Sequence, residues 1–310
     1  MNPTRRTGMA LALVTAAISG VSVFVNAYGV KAFTSATVYT TAKNLVAAVV
    51  RLGVVALGAR AGARLTRPAG PRQWWALLGI GLVGGSLPFV LFFEGLARAS
   101  SPQAAFIHKT LVLWVALLAV PLLGERLQWG HWLAIGLLVV GQVGLAGGLP
   151  SGFGVAGLMI LAATLLWAVE VVLAKWLLRG VSSWTVGVAR MGMGSVALVA
   201  WLAVTGRLGG LLSLTGEQVG WALLTGVLLA GYVGTWFAAL ARAQAVDVTA
   251  VLVLAAPVTA LLGLAVNGTA LASQAGWLAL VLAGGVAVVW LGLRDTPRQA
   301  AGTVAPGSRG

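Results

Sequence analysis

The sequence predicts an all-α polytopic membrane protein, with ten transmembrane helices arranged as two inverted five-helix repeats. Three observations carry this reading. Hydrophobic residues make up 59% of 310 and charged residues only 8%, where a soluble chain carries roughly 25% charged; the mean hydropathy is +0.98. The apolar sequence comes as continuous runs of about 20 residues, the length of a spanning helix, without the period-two alternation of a barrel strand. Finally, motifs in the first half return in the second at a near-constant offset, and each copy holds an odd number of helices.

The runs fall at 8–30, 36–57, 74–97, 101–123, 129–149, 153–178, 184–205, 219–241, 246–267 and 275–293. The first follows Arg5 and Arg6 and continues to Val30, too long for a cleaved signal peptide, so it is read as a retained helix. The third holds Gly84, Gly85 and Pro88, and the ninth Pro257, residues that kink membrane helices. Short connections leave no room for a soluble domain. The first repeat is placed at 8–149 and the second at 153–294; 295–310 is read as a disordered cytoplasmic tail.

Basic residues at helix ends set orientation. With the N-terminus in the cytoplasm, thirteen of them fall inside and only Lys31, Arg98 and Arg207 outside. Both termini are therefore expected to be cytoplasmic. The net charge of +14 then reports topology, and no nucleic acid is needed to explain it. Arginine outnumbers lysine 16 to 4, which points toward a bacterial cytoplasmic (inner) membrane. Cysteine is absent, which excludes disulfides and thiolate chemistry.

The repeat is visible in Phe93–Ala99 against Phe237–Ala243, an offset of 144, with Gly124 and Leu127 meeting Gly268 and Leu271. Earlier, at 147 or 148, Gly20 meets Ala168, Lys31 meets Arg179 and Lys43 meets Arg190. An odd helix count reverses the second copy, the arrangement of many secondary transporters. Leu166-Trp167-Ala168, the basic residues Lys43 and Arg190, and the turn Leu123-Gly124-Glu125-Arg126-Leu127 resemble the drug/metabolite transporter superfamily, specifically its EamA-type ten-helix members. The resemblance covers about 8–293 and implies a transporter fold of two EamA-like repeats. Ser19-Gly20 stands where the family usually has Trp-Gly, and Asn267-Gly268-Thr269 lacks the acid of the Glu125 turn.

Charges inside the bilayer mark functional candidates. Lys43, Arg51, Glu94, His108, Lys109, Glu170 and Arg190 lie within helices, and six formal charges imply roughly 15–20 kcal/mol of insertion penalty without pairing or water. Depth suggests an outer cluster of Lys43, Glu94, His108 and Lys109 and an inner pair of Glu170 and Arg190. Each has a plainer reading: Arg51 snorkels, Glu94 pairs with Arg98 one turn on, Glu170 and Arg190 form a static clamp, and His108 is a packing residue. His131 is expected to anchor at the interface. Ser22 and Asn26 share a helix face and either bind substrate or hold helices together. Trp167 sits deep enough to wall a pocket.

These features favour a secondary active transporter, an exporter of a small metabolite such as an amino acid or organic acid, working by alternating access. Export of hydrophobic cations is the alternative, and a channel a weaker one. Only two histidines occur, 23 residues apart, and no H-E-x-x-H is present, so an enzyme is not expected; nor is a cofactor or metal. The expected partners are a small-molecule substrate, the lipid bilayer and protons carried by Glu94, Glu170 or His108, with a homodimer as the alternative to a monomer.

Overall fold

A computed structural model describes residues 3–58, 64–99, 101–148, 154–268 and 272–294. The tail at 295–310 lies outside the described residues. The first repeat comprises α1 (Pro3–Gly29), α2 (Ala36–Gly58), α3 (Pro71–Val83), α4 (Leu87–Leu96), α5 (Ser101–Lys109), α6 (Leu111–Leu123) and α7 (Trp129–Leu145). The second comprises α8 (Val155–Leu177), α9 (Ser183–Val204), the short α10 (Leu208–Leu212), α11 (Gly216–Leu240), α12 (Ala245–Val251), α13 (Ala255–Asn267) and α14 (Ala275–Arg294). α3–α4, α5–α6 and α12–α13 are single spans interrupted once. Nine spans among the described residues are long and apolar enough to cross a membrane. α7, with 17 residues, is about 25 Å long and completes the ten at the lower limit of spanning length.

Local sequence explains the helix ends. Pro71 opens α3, where its missing N–H is not needed. The Thr215 hydroxyl accepts from the Gln218 N–H and the Gln218 side chain returns the bond, a capping box that starts α11. α6 and α13 end on Gly124 (φ 70°) and Gly268 (φ 65°). These glycines lie 144 residues apart, so the repeat is legible in backbone conformation as well as in sequence. Both need glycine, because a side chain is strained in the left-handed region.

Arg5 marks one end of the bundle, called here the near end. α1 runs from near to far. α8 runs the other way: a Cβ on Gly95, near the far end of α4, would meet Ile160 at 2.8 Å, whereas Lys175 reaches the chain after α11 at the near end. The second copy is therefore inverted. α14 returns to the near end, since Gly292 lies against Met9 and Asp247. Both ends of the described chain share one side.

Lipid tails give no hydrophobic drive between helices, so close packing holds them together. A Cβ on Gly20 would lie 2.7 Å from the Ala255 carbonyl, and one on Gly144 would lie 2.0 Å from the Trp277 ring. α1 against α13 and α7 against α14 need those glycines. Leu57, Leu117 and Val204 are exposed on the outside, facing lipid.

Candidate functional site

Three charged residues of the interior, Lys43, Glu170 and Arg190, gather where α2, α4, α8, α9 and α11 meet. On α2, Lys43 is 5% exposed, and its ammonium donates to Asn26 Oδ1 at 3.0 Å. Tyr39, one turn earlier, donates to the same oxygen at 2.5 Å. Three rings surround the ammonium: Phe93 at 4.6 Å, Tyr39 at 5.1 Å and Phe89 at 5.7 Å from Nζ to centroid. No ion pair reaches Lys43 among the described residues.

On the opposing helices Arg190 and Glu170 form a buried ion pair through the guanidinium Nε and Oε1, with Nη2 and Oε2 at 3.4 Å. The Arg190 Cζ lies 5.6 Å from the Phe89 centroid. The interruption between α3 and α4 makes room for this pair. A Cβ on Gly84 would come within 2.2 Å of the Glu170 carboxyl carbon, and one on Gly85 within 2.2 Å of the Arg190 carbonyl. Ending α3 also frees the Gly84 carbonyl, which accepts from Trp167 Nε1 at 3.2 Å. Trp167 in turn packs edge-on against Phe89 (5.4 Å) and His108 (4.9 Å). Tyr232 stacks on Trp236 at 5.9 Å and completes the wall from α11.

The expected outer cluster of four is not gathered. Glu94 turns to the far end, where Thr37 donates to it at 2.9 Å and Arg207 and Arg98 lie at 3.1 and 3.2 Å. Arg98 is the i,i+4 partner; Arg207, from the turn before α10, was not foreseen. His108 faces Phe92 and Trp167. Lys109, the next residue, points to the other side of its helix. It lines a cavity of about 10 Å³ with Phe106, Thr110, Leu138, Gln142 and Val253, the space of one water. Adjacent residues on a helix cannot share a face, so similar depth in the bilayer does not bring His108 and Lys109 to one site. Val253 is the repeat mate of Lys109, so the two interrupted spans meet there. Ser22 accepts from Asn26 Nδ2 through its carbonyl at 2.6 Å, while its hydroxyl is buried without a partner among the described residues.

Two other expectations are corrected. Arg51 does not snorkel: it is 5% exposed and lies under Trp184. His131 is not an interfacial anchor. It is buried, with Nε2 3.4 Å from Asp247 Oδ1, while Arg5 donates to Asp247 Oδ2 at 3.0 Å. Asp247 thereby ties α1 and α7 to α12 at the near end. Beside it, Glu125 accepts the N–H groups of Ala245 (2.6 Å) and Val246 (3.1 Å), capping α12. Burial raises the Glu125 carboxyl above the ordinary carboxylate range; those two bonds and Lys175 oppose the rise, and Asp247 adds to it. Lys175 caps the other side of the turn by donating to the Leu240 carbonyl at 2.6 Å. Among the described residues no group of three His, Asp or Glu side chains is placed to hold a metal.

Apolar helices in two inverted copies, tied at both ends around a buried charged centre, define a polytopic membrane protein. The chain belongs to the EamA-like transporter family, whose sequence pattern matches residues 6–147 and 155–291. It is thus a membrane transporter of the drug/metabolite superfamily, a multi-pass protein of the lipid bilayer acting on a small molecule. One solved crystal structure, of a protein described without a function, shares the fold. It has a TM-score of 0.74 at 19% identity and covers 92% of this chain and 98% of its own. No curated protein matches the sequence.

Proposed function

We propose that the protein is a secondary active transporter that exports a small carboxylate-bearing metabolite, an amino acid or organic acid, by alternating access from a bacterial cytoplasmic membrane with both termini cytoplasmic. One observation carries the substrate class: the centre holds two cations and one acid, and the unmatched cation is Lys43. Arg190 is neutralised by Glu170. Among the described residues Lys43 has only an amide oxygen and ring faces, so its charge is left for an anion to balance. The rings also bear on the alternative, a hydrophobic-cation carrier. An aromatic cage suits cations, but here Lys43 and Arg190 already occupy the faces such a substrate would need.

Glu170 is the acid best placed to couple transport to protons, because it faces a central cation, whereas Glu94 lies at the far end and His108 among rings. The test is counterflow in proteoliposomes with a panel of amino acids, organic acids and lipophilic cations, with and without a pH gradient. Saturable counterflow of an anionic or zwitterionic substrate, lost in Lys43→Met and retained in Lys43→Arg, is expected. Counterflow confined to the lipophilic cations, or unchanged in Lys43→Met at normal membrane levels, overturns the reading.

A further inference from the structure

Arg51 is a third buried cation, one that the central site does not use. It lies on α2, eight residues past Lys43 and about 12 Å nearer the near end. Its guanidinium occupies a slot between two other helices. A Cβ on Gly187 of α9 would come within 2.6 Å of Nη2, and one on Gly234 of α11 within 2.7 Å of Nη1. The ring of Trp184 covers it at 4.4 Å. Its Nε has no hydrogen-bond partner among the described residues, and no ion pair reaches it there.

A guanidinium stays charged at any physiological pH. Arginines held for structure deep in a protein are paired with an acid or with carbonyls, and this one has neither among the described residues. What the fold provides instead is a fitted slot, two glycines on separate helices whose missing side chains let the guanidinium lie directly against α9 and α11. A guanidinium fork takes the two oxygens of a carboxylate or phosphate. We infer that Arg51 is a second oxyanion-binding station, between Lys43 and the near end, uncovered when α9 and α11 separate. It rests on the anionic-substrate reading above, and it extends that reading to the route by which the anion reaches the centre.

The test uses L-glutamate, citrate and inorganic phosphate as probes, with sodium chloride at equal ionic strength as the control. Transport is measured in phosphatidylcholine vesicles presenting either the near or the far end outward. Arg51→Gln is expected to raise the half-saturating concentration at the near face by at least about tenfold, the size of a lost charge-assisted contact, and to leave the far face unchanged. The chain has no native cysteine, so Arg51→Cys can be treated with thiosulfonates. An ethylammonium adduct should restore near-face affinity and an ethylsulfonate adduct should not. Phosphatidylglycerol added to the vesicles separates two sources of the oxyanion. A station filled by a lipid headgroup makes the wild type, and not Arg51→Gln, lose near-face affinity. Unchanged near-face affinity in Arg51→Gln, equal rescue by both adducts, or no response of the wild type to any probe overturns the station. Lys43→Met at wild-type level alongside a near-face loss in Arg51→Gln overturns the Lys43 reading and leaves the station standing.

Discussion

Lys43 and Arg190 converge on one phenylalanine: the Lys43 ammonium and the Arg190 guanidinium carbon lie 5.7 and 5.6 Å from the Phe89 centroid. The two cations are repeat mates, so the pseudo-symmetry brings its two charges to a shared ring. Phe89 sits immediately after the interruption between α3 and α4, which has no counterpart in the continuous α11. Phe89→Leu keeps apolar bulk and removes the ring face. It should cost about 1–3 kcal/mol, summed over two desolvated cation–ring contacts, and Phe89→Tyr should cost little. Thermal unfolding in detergent checks both; equal loss in the two variants would assign the effect to packing.

The Glu170–Arg190 pair should show strong coupling. Glu170→Gln or Arg190→Gln alone leaves a buried charge unpaired, at a cost of about 3–5 kcal/mol. The double variant should cost clearly less than the two together, in stability and in transport. Gly84→Ala offers an independent route, since its methyl would overlap the Glu170 carboxyl. Additive single effects, or a Gly84→Ala chain of wild-type stability, would mean the pair is not held as described.

Glu125 gives a pH signature at the near end. Its folded pKa lies above the unfolded value because burial outweighs the N–H bonds it accepts. The folded state therefore binds the proton more tightly, and the stabilisation from that proton is complete below the usual carboxylate range. It is lost as pH rises through the raised value. Glu125→Gln, which cannot titrate, should gain on the wild type across that window and run parallel above it. Glu125→Ala removes the cap of α12 and should cost about 1–2 kcal/mol at every pH. Unfolding measured across pH, with no change in the gap between wild type and Glu125→Gln, contradicts the shift.

Helix count, limits and inversion were legible in the sequence because lipid demands long apolar runs and the chain repeats them. The Glu170–Arg190 pairing was legible too, since both residues flank one short turn. Direction around each helix axis was harder to read. His108 and Lys109 are neighbours in sequence and separate in space, and nothing local says which one meets Trp167. Phe89 and Phe93 looked like ordinary apolar residues; only the position of Lys43 on another helix gives them a role. Asp247 binds Arg5 from 242 residues away, a separation that no local pattern reveals. Asn267, at the mate of the Glu125 turn, accepts from the Tyr28 hydroxyl at 2.7 Å, so the second turn uses a neutral tie where the first uses an acid.

Orientation can be read directly because the chain contains no cysteine. Asn267→Cys lies at the far end and Arg67→Cys at the near end, and both positions are exposed. With both termini in the cytoplasm, an impermeant thiol reagent applied to intact cells should label the first and spare the second. The opposite pattern would invert the assignment of near and far ends to inside and outside.

Alternating access requires the two ends to open in turn, and the ties at each end are of similar kind. Asp247 joins α1 and α7 to α12 through Arg5 and His131, with Glu125 and Lys175 beside it. Glu94 joins α4 to α2 through Thr37 and to the turn before α10 through Arg207. Asp247→Asn keeps the shape and removes the near-end charge; Glu94→Gln does the same at the far end. A charge-assisted tie contributes about 1.5–3 kcal/mol, so losing one should shift the balance between open states by roughly tenfold or more. Ser22→Cys reports this shift, because Ser22 lies one turn from Asn26 beside the centre. Asp247→Asn should speed its labelling from the near face and Glu94→Gln from the far face. If both variants speed labelling from the same face, the two clusters are not opposing gates.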